Sequence, residues 1–254
     1  GMTESQNDDD FLLFRFIMLI VDLLIALVFF RLSTGIGRKS PNQLLGLLCA
    51  AIWLMNRWTL QMNLSVKPDN LAMLFALLAL VYFRDKPVRS SLYLGLSLSF
   101  KHLSIFLLPL LLIYMPNIRE GIRYFLYTAM IPFLTSLPFV LWSLPGFFKS
   151  MLFALTRKQG GDFSLGTVVG QHGFLARLPL LLVLICFYVL VYHYRKRLNP
   201  SASAFLVYLV YTSLTPLLFD LYWLWLLPFG LLFAIRWWHD PSAEMTLSEN
   251  GKID

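Results

Sequence analysis

The sequence predicts an all-α protein, a polytopic transmembrane helix bundle of about seven spans plus one broken helical pair. Three observations carry this. Of its 254 residues, 58% are hydrophobic and 16% aromatic, with a mean hydropathy of +0.67. A water-soluble domain uses roughly half apolar residues. The apolar residues fall in runs about as long as a bilayer is thick. The charges gather in short clusters between those runs, and the clusters are mostly basic. The net charge of +7 therefore reads as loops facing anionic lipid heads rather than as a nucleic-acid surface. Cys49 and Cys186 lie inside apolar runs and read as small core residues, not a disulfide. The four histidines show no ligand spacing, so no metal site or cofactor is expected from them; whether a divalent ion takes part stays open.

Taken in order, residues 1–10 are expected to be a disordered tail. Residues 11–31 form a first span with Asp22 at its centre, and Arg31, Arg38 and Lys39 follow in a basic loop. Pro41 opens a second helix, since proline is tolerated in a first turn, and that helix runs to about Trp58. A polar stretch over 59–70 leads into a third span, 71–83. The tight basic turn RDKPVR comes next. The apolar run 90–115 then carries the adjacent pair Lys101–His102 near its middle. Residues 124–144 form a span containing Pro132 and Pro138, which predict a kink. A long polar loop follows, then spans at 175–194 and 202–219. Asp220 turns the chain into a last span, rich in Trp and suited to a membrane interface. Residues 239–254 are expected to be disordered. The chain from 11 to 238 reads as a single transmembrane domain, multi-pass, in a plasma (inner) membrane.

Positive charge decides how 90–115 runs. With the loop at 31–39 cytoplasmic, the turn of Arg84, Lys86 and Arg89 is cytoplasmic too. If 90–115 crossed the membrane, Arg195, Lys196 and Arg197 would land outside, against the positive-inside trend. If the chain turns back at Lys101, then Arg119, Arg123 and Arg195–Arg197 are all inside. The reading adopted is two short helices meeting at Lys101–His102. Irregular backbone at that depth needs protein or a wet cavity around it, so this turn is expected to line a cavity.

A lysine at membrane depth is costly and tends to mark a function. Lys101, with His102, is the candidate to bind a phosphate-like anion; the alternative is a structural pairing with Asp22. Asp69 lies in a first helical turn, where the helix dipole favours an anion, and faces the same cavity in the functional reading. Lys67 stands beside it. Arg157 and Lys158, with Gly160, Gly161 and Asp162, form a glycine-flanked basic loop on the outer side, suited to phosphate capture or simply solvated.

This pattern resembles the GT-C superfamily of polytopic glycosyltransferases, in particular the polyprenyl-phosphate-mannose-dependent type. The likeness runs over about 15–238. It is carried by Asn63 or Asn56, then VKPDN with Asp69, then RDKPVR, then SFKHLSIFLLP with Lys101 and Pro109, and finally DLYWLWLLPF from Asp220 to Phe229. The resemblance implies that Lys101 contacts a lipid phosphate and that Asp69 and Tyr222 line the cavity; Lys67 and Asp220 are expected among the cavity-lining residues too. Lys67–Pro68 stands where the family has Gly-Gln. The family's N-terminal span and acid-bearing first outer loop have no counterpart here, so its catalytic carboxylate carries over to no position; Asp69 is the remaining candidate base. The implied function is transfer of a sugar, mannosyl or another hexosyl, from a polyprenyl-phosphate carrier to a hydroxyl at the outer face. Two alternatives stand beside it. One is a non-catalytic subunit that binds the lipid carrier, with a partner subunit supplying an acidic outer loop. The other is a small transporter. The expected partners are membrane lipids and the carrier, and no nucleic acid.

Overall fold

The computed structural model describes residues 2–35, 42–65, 67–156, 178–214 and 223–239; the described residues form helices joined by turns, with no strand among them. Helix α1 (Met2–Thr34) starts at Met2. It takes in the stretch expected as a tail, which from Met2 onward holds no proline or glycine to break a helix. Asn42 caps α2 (Gln43–Met55), its Oδ1 accepting from the Leu45 N–H at 2.9 Å. Asn56 turns extended, ends α2 and caps the next helix, α3 (Arg57–Leu64). The first half of the expected polar loop is therefore helical, because an asparagine at a cap position restarts the helix.

Helices α4 (Asp69–Tyr82) and α5 (Pro87–Phe100) form a packed hairpin, with Pro87 in the first turn of α5. Lys101 is extended (φ −150°, ψ 122°), a 3₁₀ turn covers His102–Phe106, and α6 (Leu107–Ile113) follows. The break expected at Lys101–His102 is present. Helix α7 (Ile118–Trp142) holds both Pro132 and Pro138. Then come α8 (Leu144–Thr156), α9 (Leu178–Tyr194), α10 (Pro200–Leu214) and α11 (Trp223–His239). The stretch expected as one long loop after α7 thus begins with the helix α8.

The core centres on α4, where Ala72, Met73, Ala76, Leu77, Ala79 and Leu80 are all buried. Small residues let backbones come close. Gly95 on α5 is the sharpest case: a Cβ there would sit 2.6 Å from the Thr128 carbonyl oxygen of α7. Phe29 of α1 meets Trp53 of α2 edge-on at 6.4 Å. Tyr208 of α10 stacks on Trp225 and Phe229 of α11, with ring centres 5.9 and 4.5 Å apart.

Among the described residues, two stretches are long and apolar enough to cross a membrane: Leu12–Thr34, of mean hydropathy 2.7, and Ile118–Trp142, of mean hydropathy 1.6. Five other apolar helical stretches are 10–17 residues long. At 1.5 Å per residue these reach roughly 15–25 Å, shorter than the runs read from the sequence. Polar breaks such as Asn56 and Lys101 shorten them.

Both ends of the broken pair lie at one end of the molecule. Ser90, opening α5, bonds the Tyr124 hydroxyl of α7 at 2.9 Å. Tyr114, just past α6, donates to the Leu198 carbonyl at 2.9 Å and lies 2.8 Å from the Ser203 hydroxyl. Arg236 of α11 reaches Ser201 Oγ at 2.6 Å and the Leu80 carbonyl at 3.2 Å. The basic turns at Arg84–Arg89, Arg119–Arg123 and Arg195–Arg197 therefore share one end with Arg236. The chain climbs α5 away from that end and returns through the 3₁₀ turn and α6.

Candidate functional site

At the far end of α5 the extended backbone of Lys101 swings its side chain onto α4. Its ammonium lies 2.9 Å from Asp69 Oδ1. The lysine side chain is 30% exposed and the aspartate only 4%. The pair joins a buried carboxylate in a first helical turn to a cation with one side open to its surroundings. The structural alternative, Lys101 with Asp22, is corrected: Lys101 pairs with Asp69.

Asp22 is held instead by amides. Asn63 of α3 donates to its Oδ2 at 2.6 Å, and Asn70 of α4 donates to its Oδ1 at 2.8 Å. Arg15, seven residues before Asp22 on α1, points to the Leu64 carbonyl at 3.5 Å instead. Asp69 and Asn70 are neighbours in the first turn of α4, so one residue serves Lys101 and the next serves Asp22. A buried polar layer thus links α1, α3, α4 and the helix break at Lys101. In it the Asn63 and Asn70 side-chain oxygens find no hydrogen-bond partner among the described residues.

The helix break is satisfied from outside. Tyr208 donates to the Leu103 carbonyl at 3.2 Å, and Tyr188 of α9 donates to the Phe106 carbonyl at 2.8 Å. Ser97 bonds both the Ala72 carbonyl and Ser104 across the turn. Backbone groups released from a helix away from water must find such partners.

Of the other residues singled out from the sequence, His102 and Lys67 are exposed. Arg157, Lys158, Asp162, Asp220 and Tyr222 lie outside the described residues. Among the described residues no group of three or more His, Cys, Asp or Glu could hold a metal. The sequence led to the expectation of a cavity at Lys101. Two cavities, of about 240 and 610 Å³, lie at the basic end, lined by residues such as Pro87, Met115, Arg123 and Arg195. Lys101 lines neither of them. It sits the length of α5 away, about 20 Å.

The chain matches no protein-family model, no curated protein and no solved structure.

Sequence reasoning passed over Tyr188, Tyr208, Ser97 and Ser104. A tyrosine in an apolar run looks like ordinary core. Its one signal is a hydroxyl that must be satisfied when buried.

Chemically, an ammonium has three donors, and Asp69 occupies one. The others are oriented by the ion pair toward the open side. Such an arrangement suits binding of an anion more than abstraction of a proton, because the carboxylate is buried and its Oδ1 is engaged.

Proposed function

We propose that this chain is the membrane-embedded core of a glycosyltransferase of the GT-C type, with Lys101 receiving the phosphate of a polyprenyl-phosphate sugar. The observation that carries the reading is the ion pair: a buried carboxylate holds a part-exposed ammonium at a helix break. A cation fixed this way is an anion receptor whose position is set before the ligand arrives.

The membrane setting rests on the apolar outer faces. Leu12, Phe16 and Leu23 of α1, Leu47 of α2, Phe133 of α7 and Leu182 of α9 are all exposed. Exposed apolar area on that scale needs lipid or protein to cover it. The shorter helices would cross as packed, tilted or re-entrant elements, giving a multi-pass protein with its basic turns inside. Lys101 and Asp69 then face the outer half.

In the reaction, the acceptor hydroxyl oxygen attacks the anomeric carbon, and the bond from that carbon to the carrier phosphate breaks. The phosphate leaves with the electron pair, stabilised by Lys101. The hydroxyl proton passes to a base. Asp69 as that base would have to leave Lys101. This favours a second reading, in which the chain binds the carrier and a partner subunit supplies the acid.

The test uses purified chain in lipid nanodiscs and a polyprenyl phosphate. Lys101→Met should weaken binding about tenfold, the scale of a hydrogen bond to a charged group. Unchanged affinity in a folded variant would sink the assignment of Lys101. Sugar transfer by the same preparation, lost in Asp69→Asn, would decide for catalysis over carrier binding.

A further inference from the structure

The larger cavity is at the end of the molecule that the proposed site does not use. It is a groove between the α6–α7 turn and the last turn of α9. Leu112, Ile113, Pro116, Ile122 and Phe125 give it apolar walls, and Arg195 closes one side, for a volume of about 610 Å³. Arg195 is not a waving surface charge. Its guanidinium stacks on the Tyr192 ring at 4.4 Å, which pre-orients its donors. The neighbouring cavity shares Met115 and carries Arg123, stacked over Tyr127 at 5.5 Å. Lys196, Arg197 and Arg119 add positive charge on the same turns, against the single acid Glu120 of the α7 first turn.

We propose that this groove binds an anionic glycerophospholipid of the leaflet at the basic end, with an acyl chain along the apolar walls and the head-group phosphate on Arg195. The inference rests on the membrane setting proposed above, but not on the assignment of Lys101 or on any transfer chemistry. Charge complementarity chooses this occupant. The apolar walls want a chain, and the stacked arginine beside them wants a phosphate. A soluble phosphate would leave the walls uncovered, and a zwitterionic lipid would place a second cation beside a basic rim.

The experiment measures lipid binding to the detergent-solubilised full chain by native mass spectrometry, with phosphatidylglycerol and phosphatidylcholine of matched chains in competition. Phosphatidylglycerol should be retained preferentially. Arg195→Gln should weaken that binding about tenfold, and Ile122→Trp, which fills the groove without touching charge, should displace the lipid. Lys196→Gln removes a charge from the same turn but not from the groove, and should leave the preference intact. Equal binding of the two lipids would overturn the proposal. So would a Lys196→Gln loss as large as that of Arg195→Gln, which would mean surface charge alone. Displacement of the lipid by millimolar inorganic phosphate would overturn the lipid as occupant. Recovery of the chain in the soluble fraction of cells would instead overturn the membrane setting, a separate failure.

Discussion

Lys101 and Asp69 sit between two electrostatic regimes. Exposed ion pairs add little, roughly 0–1 kcal/mol, because water screens them. Breaking a fully buried pair costs about 3–5 kcal/mol, because it strands a charge. Here the carboxylate is buried and the ammonium is one-third exposed. Lys101→Met should therefore destabilise more than Asp69→Asn, since the first leaves a buried carboxylate unpaired and the second leaves a lysine that can still reach solvent. A double-mutant cycle read by thermal or denaturant unfolding should give a coupling of about 1–2 kcal/mol. A coupling near zero would mean that the two side chains do not meet. Asp22 is the contrast at this scale. Its partners come from 41 and 48 residues away, and both are neutral amides. No charge-pairing rule applied to the sequence would have chosen them, whereas Lys101 was legible as a charge placed where charges are expensive and Asp69 as an acid in a first helical turn.

At the scale of elements, the broken pair was legible and its fastening was not. Counting basic residues in the turns favoured a run that turns back at Lys101, and at the basic end Ser90 does bond Tyr124 while Tyr114 bonds Leu198 and Ser203. Helix α3 was missed because Asn56 reads as loop polarity until its capping bond to the Thr59 N–H is seen. The tyrosines were missed because their acceptors, the Leu103 and Phe106 carbonyls 105 and 82 residues away, are brought to them only by the fold. Tyr208→Phe tests this fastening. It keeps the stacks on Trp225 and Phe229 and removes one buried donor. The loss should be about 1–3 kcal/mol, the cost of an unsatisfied buried group, measured by unfolding in detergent. A Phe variant as stable as wild type would mean that the Leu103 carbonyl has another partner. The direction of the pair is tested by thiol labelling in a Cys186→Ser background, Cys49 being buried. In intact cells Val88→Cys and Asn117→Cys should both resist an impermeant reagent, and Lys67→Cys, exposed at the far end, should react. Labelling at Asn117→Cys without Val88→Cys would put the ends of the pair on opposite sides.

For the whole molecule, the feature that organises everything is a polarity of charge along the bundle. Composition predicted an apolar bundle with short basic turns. It could not show that helices as short as α4 and α5 would stop at a shared polar layer, because that layer is assembled from α1, α3, α4 and the helix break. Nor could it place the cavities, which form where the α6–α7 turn meets α9. The polarity fixes where the last helix ends. Arg236 near the end of α11 bonds Ser201 at the start of α10 and the Leu80 carbonyl near the end of α4. So the chain leaves α11 at the same end as the turns of Arg84–Arg89 and Arg195–Arg197. If those turns face the cytoplasm, residues after His239 do as well. A fluorescent protein fused after Asp254 and expressed in a bacterial host should fluoresce, and alkaline phosphatase at the same position should be inactive. Moving the phosphatase to Lys67, at the other end of α4, should make it active. The reverse pattern would invert the bundle. Lys101 and Asp69 would then face the cytoplasm, and a carrier presented at the outer face could not be their ligand.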